Sequence, residues 1–315
     1  MINKRSFITG IKSTILSPKE KKFLISYRPW GVILFSRNIK SIKQTKKLTN
    51  QIKKLFKDDK YPILIDQEGG RVNRLKSFFN ADLLTGEFFG KLYLKDTKKF
   101  KHYYKIFINQ TSHLLKLIGV NINTLPVLDL RMKGATNIIG DRSFSNNIKT
   151  VSKIGDICIT HFHKNKIGTV IKHIPGHGLA KVDSHNLTPK IKKNLKYLIK
   201  NDFSAFKNKA SLFAMTAHII YYKIDKLNTT THSKKIIKII RNHLKFRNIL
   251  MSDDISMKSL KNSISVNTVR AFKAGCDLVL HCNGNYKEML EVANNSPPIS
   301  KFIIKKTSQF YKIIS

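Results

Sequence analysis

Eight short apolar runs, separated by helix-like stretches, constrain the fold of this chain more than any other feature. The first four are Ile8-Thr-Gly-Ile11, Gly31-Val-Ile-Leu-Phe35, Pro62-Ile-Leu-Ile-Asp66 and Asn123-Thr-Leu-Pro-Val-Leu-Asp129. The others are Gly168-Thr-Val-Ile-Lys172, Leu212-Phe-Ala-Met-Thr-Ala217, Asn248-Ile-Leu-Met-Ser252 and Asp277-Leu-Val-Leu280. Runs without alternation suit strands buried on both faces, as in a parallel sheet. Between them, Ser41 to Phe56 places Ile42, Leu48, Ile52, Leu55 and Phe56 at roughly helical spacing with lysines between. Tyr103 to Leu117 and Ile236 to Leu244 behave alike. Strand and helix alternating eight times predict an α/β chain folded as a single (β/α)8 TIM-type barrel, with an open doubly wound sheet as the alternative. No linker, low-complexity block or repeat of fixed period marks a second domain, so the barrel domain is expected to fill residues 1–315.

The chain has only 19 acidic residues, so their placement is informative. Asp66 ends the third run, Asp129 the fourth, and Asp253 with Asp254 the seventh; Lys172 and His173 end the fifth and His218 the sixth. Any one of these is explained by a strand meeting solvent. Five consecutive runs ending this way point to the C-terminal mouth of a barrel, where such folds keep their active sites. Asp66-Gln-Glu-Gly-Gly-Arg-Val-Asn-Arg74 adds a glycine pair for tight turns and two arginines that can clamp oxygens. It is not a GxGxxG fingerprint, and no Walker-type GxxxxGK[ST] occurs, so no nucleotide cofactor is indicated. Lys172-His-Ile-Pro-Gly-His-Gly178 and Asp183-Ser-His185 bring three histidines into one loop. Their spacing is not HExxH, which favours catalysis or substrate binding over a metal.

Lys and Arg number 59, giving a formal net charge of +40. A nucleic-acid footprint would cluster on one face or arm. Here lysine is spread through almost every segment, including Lys43 to Lys54, Lys190 to Lys200 and Lys234 to Lys245. The charge therefore reads as compositional drift with non-specific adhesion to anionic polymers, and no specific nucleic acid is expected as a partner. Cys158, Cys276 and Cys282 form no CxxC pair and read as small buried hydrophobes in a reducing compartment. The first ten residues carry no apolar core of a secretory signal, and no stretch reaches the length of a membrane span. A cytoplasmic location is expected.

The ordered motifs resemble family-3 glycoside hydrolases, in particular the short β-N-acetylhexosaminidases of bacterial peptidoglycan recycling. The resemblance runs from about Gly31 to Asn283. It is carried by Gly31-Val-Ile-Leu-Phe-Ser-Arg-Asn38, Ile65 to Arg74, Pro126-Val-Leu-Asp129, Ile139-Gly-Asp-Arg-Ser-Phe144, Met215-Thr-Ala-His218, Ser252-Asp-Asp-Ile-Ser-Met257 and Ala274-Gly-Cys-Asp277. The pairing of Lys172-His-Ile-Pro-Gly-His-Gly178 with Asp183-Ser-His185 is the most specific part. Ile174 stands where the family usually has an aromatic residue, and Leu125 where it usually has a small one. Both departures bear on substrate fit rather than chemistry.

The resemblance implies a retaining enzyme that removes terminal β-linked N-acetylglucosamine from muropeptide fragments, acting as a monomer without metal or organic cofactor. It implies Asp253 as nucleophile; Asp254 is expected to be structural, since Asp favours helix N-termini. It implies His185 as general acid/base, oriented by Asp183; the glycine-containing stretch from Pro175 to Lys181 adds the expectation of a mobile loop that closes over the sugar. Substrate binding carries over to Asp66, Arg74, Arg142, Lys172 and His173, although Arg142 also fits a structural ion pair, and His218 reads as structural. Competing readings are a β-glucosidase or glycoside phosphorylase of the same superfamily, and a basic scaffold that binds nucleic acid.

Overall fold

Eight parallel strands follow one another around a closed ring in the computed structural model, which describes residues 3–184 and 186–315. They are β1 (Arg5–Gly10), β2 (Pro29–Leu34), β3 (Ile63–Ile65), β4 (Ile122–Asn123), β5 (Gly168–Ile174), β6 (Phe213–Thr216), β7 (Ile249–Asp254) and β8 (Leu278–His281). Each pairs in parallel with its sequence neighbours, and β8 closes on β1. The barrel thus replaces the open sheet, and each of the eight apolar runs contributes one strand. Every residue of β2 and β5 is buried, as strands enclosed on both faces require. The run from Asn123 to Asp129 departs from expectation, because regular pairing ends at Asn123. Pro126 lacks an N–H for the ladder, and only a bridge from Val127 to Lys172 follows.

The helices are α1 (Pro18–Tyr27), α2 (Ile42–Phe56), α3 (Gly86–Lys95), α4 (Thr97–Leu117), α5 (Ile148–Lys164), α6 (Leu195–Lys200), α7 (Lys234–Asn242), α8 (Ile264–Ala274), α9 (Tyr286–Asn295) and α10 (Lys301–Ile313). Each starts at a Ser, Thr, Asp or Asn whose side chain accepts a first-turn amide. Capping of this kind needs no net charge, which suits a chain poor in acids. None of the described helices is long and apolar enough to cross a membrane.

Two apolar layers result. One fills the space between barrel and helices. The other fills the barrel, from Ile8, Trp30, Ile33 and Leu64 to Met251 and Leu280, and includes Ile303 and Phe310 of α10. Phe310 packs edge-on against Phe213, and Trp30 Nε1 donates to Thr307 Oγ1 at 2.9 Å. Trp30, Gly168 and Phe213 all lie at strand beginnings, so α10 stops the N-terminal end of the barrel. The opposite end stays open.

Candidate active site

The open end leads into a cavity of about 330 Å³. Its lining includes Asp66, Glu68, Arg74, Arg142, Lys172, His173, His177, Ser184, Asp253 and Asp254, with Phe35, Met215, Met257 and Leu280 supplying apolar wall. These residues come from the ends of several strands, so the barrel gathers what the sequence scatters.

One wall is an ion network. Lys172 points from β5 with its side chain 3 % exposed, and its ammonium meets Glu68 Oε1 at 2.6 Å and Asp66 Oδ1 at 3.1 Å. It also donates to Thr124 Oγ1 at 2.8 Å. Arg142 closes a two-pronged pair on Glu68, with Nε and Nη2 each 2.8 Å from a carboxylate oxygen. Arg74 reaches Asp66 Oδ2 at 3.4 Å, and Thr124 donates to Asp66 Oδ1. Burial pushes the Asp66 carboxyl up, but Lys172 and Arg74 outweigh it and hold the group well below the usual range. Burial likewise raises Glu68, and Arg142 with Lys172 bring it down to about 2. Burial lowers the Arg142 guanidinium, and Glu68 more than restores it, so it ends above its ordinary value. Both carboxylates are therefore anionic acceptors, and three cations face them.

The second wall is organised by Asp129. This fully buried carboxylate accepts the His173 N–H at 3.1 Å, the His173 Nδ1–H at 2.7 Å and the His177 N–H at 2.7 Å. Burial raises it, and His173 more than compensates, leaving it below its ordinary value. The bond fixes the His173 tautomer and leaves Nε2 as the ring nitrogen available to the cavity. His177 is bonded through Nε2 to Ser184 Oγ at 3.0 Å. Burial, aided by His173, lowers it to about 4, so it is a neutral imidazole.

The third wall is the end of β7. Asp253 lines the cavity, and its Oδ1 accepts the Asp254 N–H at 2.8 Å. Asp254 instead ties loops together, accepting Ser256 N–H at 3.0 Å, Ser256 Oγ–H at 2.9 Å and Cys282 N–H at 3.3 Å. His218 is fully buried. It donates from Nε2 to the Asp254 carbonyl at 3.0 Å and accepts the Thr231 hydroxyl at Nδ1, 2.7 Å away.

The loop after β5 carries Asp183, whose carbonyl accepts the Leu187 N–H at 2.9 Å. His185 lies outside the described residues. The loop is pinned beyond that point, where Lys190–Ile191 pair with Ile220–Tyr221 and Thr188 Oγ1 donates to the Ser259 carbonyl at 2.7 Å. Of the residues singled out from sequence, Asp66, Arg74, Arg142, Lys172, His173 and Asp253 surround the cavity. Glu68, Thr124, Asp129 and His177 were not assigned there. Glu68 and His177 lie inside quoted motifs and Asp129 ends a run, so a signal existed for each. Thr124 offered none.

Residues 12–306 match the profile of the glycosyl hydrolase family 3 N-terminal domain. The chain is 33% identical over 281 residues to a beta-hexosaminidase of Hydrogenovibrio crunogenus, covering 88% of this chain and 78% of that protein. It is 32% identical over 278 residues to a beta-hexosaminidase of Nitrosomonas eutropha, with 87% and 79% covered. The fold superposes on NagZ from Neisseria gonorrhoeae, crystallised with N-trifluoroacetyl-D-glucosamine, with a TM-score of 0.88 and 27% identity over 98% of this chain and 90% of that one.

Proposed function

Because this chain belongs to glycosyl hydrolase family 3 and is a glycoside hydrolase, we propose that it is a retaining β-N-acetylhexosaminidase. Its substrate on this reading is a terminal β-linked N-acetylglucosamine of a peptidoglycan fragment, and it works as a cytoplasmic monomer. The observation that carries the reading is the position of Asp253, at the end of β7 in the wall of a cavity otherwise rich in hydroxyl-binding groups. The names of the relatives at 32–33% identity support the N-acetyl sugar. The cavity is at the small end of ligand pockets, which suits one terminal sugar.

Asp66, Lys172, His173 and the arginines hold the ring hydroxyls. Asp253 attacks the anomeric carbon as the bond to the leaving oxygen breaks, giving a covalent glycosyl-enzyme. The leaving oxygen needs a proton. Asp66 and Glu68 are held ionised by their cations, and Asp254 is occupied by loop N–H and O–H donors. None of these suits a general acid. The family resemblance gives the role to His185, with Asp183 orienting it, and His185 then takes a proton from the water that hydrolyses the intermediate. A second reading gives this role to His173, because its 2.7 Å bond to Asp129 is the orientation an acid/base pair needs.

The test is turnover of 4-nitrophenyl N-acetyl-β-glucosaminide beside the β-glucoside, with and without phosphate. Phosphate-independent turnover of the N-acetyl substrate, reduced to background by Asp253→Asn, is the expected result. A sugar-1-phosphate product would make the enzyme a phosphorylase instead. On an unactivated disaccharide, His185→Ala should lose at least about 10²-fold in kcat; normal kinetics there would move the acid to His173.

A further inference from the structure

Asp202 follows α6 and lies behind the loop that leaves β5. It is 1 % exposed, no side chain among the described residues bonds its carboxyl, and the one polar group directed at it is the Gly178 amide. What it has is close contact with the loop backbone. A Cβ on Gly176 would stand 2.6 Å from the Asp202 carboxyl carbon; one on Gly178 would meet the Leu130 carbonyl oxygen first, at 2.4 Å, and Asp202 Oδ1 at 3.1 Å. Glycine at 176 lets the turn rest directly on the carboxyl, and glycine at 178 lets the chain pass the Leu130 backbone beside it. Tyr221, on the strand segment that pins the far end of the loop, donates its hydroxyl to the Gly176 carbonyl.

A buried carboxylate with no cation beside it is costly. Burial first, and the nearby Asp129 second, push Asp202 far above the usual range, while the Gly178 amide favours ionisation. The other titratable groups around this turn are His177, neutral as described, and Tyr221, which burial raises, with Asp202 and Asp129 adding to the rise. For Asp202 the direction favours the neutral acid, and the carboxyl lies directly under the Gly176 backbone.

We propose that Asp202 is a positioning residue for the acid/base loop: its carboxyl is the floor on which the turn at Gly176 sits, and so sets the course of the loop that leaves β5 toward Asp183. This rests on the reading of that loop as the source of the general acid.

The experiment compares an unactivated N-acetylglucosamine disaccharide with an aryl N-acetyl-β-glucosaminide whose leaving group needs little protonation. Asp202→Ala removes the floor and should cut kcat on the disaccharide by on the order of 10²-fold, with a far smaller loss on the aryl substrate. Asp202→Asn keeps shape and neutrality and should restore the wild-type ratio between the two substrates. Gly176→Ala perturbs the same contact from the loop side and should reproduce the selective loss, which keeps the test open should Asp202→Ala fold poorly. Equal losses on both substrates, or a wild-type ratio in Asp202→Ala and Gly176→Ala, would overturn the proposal. His185→Ala separates the two claims: if that variant leaves the ratio unchanged, the acid/base reading of the loop has failed, independently of Asp202.

Discussion

Removing one charge from Glu68 tests how the cavity holds its buried cations. Glu68 takes both prongs of Arg142 and the closest contact of Lys172. Glu68→Gln would leave two buried cations under-compensated, so a stability loss of about 3 kcal/mol is expected, read by denaturant unfolding, with KM raised because Lys172 loses its aim. The pH signs differ between sites. Glu68 sits at about 2 when folded, below its ordinary 4.5, so its contribution is full above pH 4.5 and is lost as pH falls toward 2. Asp202 is raised, so it costs nothing below its ordinary 3.8 and costs progressively more as pH rises above it. Asp202→Asn should accordingly be more stable than wild type at pH 7, with the gap closing near pH 4; a constant gap in Tm across that range would refute the assignment. The sequence made Asp66, Lys172 and Asp253 legible as strand-end groups. It could not pair Glu68 with Arg142, 74 positions away, because nothing local joins them. Nor could it mark Asp202, whose meaning comes from Gly176 lying on it, 26 positions earlier in the chain.

At the scale of elements, the fold separates stability from chemistry. α10 stops one end of the barrel and the cavity opens at the other. Phe310 is fully buried against Phe213 and Gly168. Phe310→Ala should cost about 3–5 kcal/mol by denaturant titration, with kcat at 25 °C unchanged. A matching fall in kcat would mean that the plug and the mouth are coupled. The strands were legible because continuous apolar runs are what a barrel wall demands. Helices α2, α4 and α7 were legible from their spacing, with boundaries that cap residues such as Ser41 and Ser233 fix. The two-residue ladder Lys190–Ile191 with Ile220–Tyr221 was not legible, since two residues carry no period. The early end of β4 was not read from the sequence, because the apolar run continues past Pro126 to Leu128, which covers Gly155, where a Cβ would stand 2.4 Å from Leu128 Cδ2.

For the whole molecule, the net charge of +40 is the property most visible to other macromolecules. The structure spreads it. Lys43, Lys46 and Lys47 are exposed on α2, Lys98, Lys99, Lys101 and Lys105 on α4, Lys234, Lys235 and Lys238 on α7, and Lys301 and Lys305 on α10. These helices surround the barrel, so the charge forms a shell rather than one footprint. Several of the scarce acids, Asp66, Glu68, Asp129, Asp253 and Asp254 among them, are instead drawn to the cavity end, where the ion network needs them. A shell of this kind binds polyanions by releasing counterions, without reading sequence. Unrelated single- and double-stranded oligonucleotides should therefore bind with similar affinity, and that affinity should fall by roughly 10³-fold or more between about 50 and 200 mM salt. Fluorescence anisotropy across a salt series measures both quantities. Glycosidase activity at the higher salt should not respond to the oligonucleotide, because the cavity presents anionic carboxylates beside its cations. Strong preference for one sequence, with a shallow salt slope, would instead require a clustered site that the distribution of these lysines does not provide.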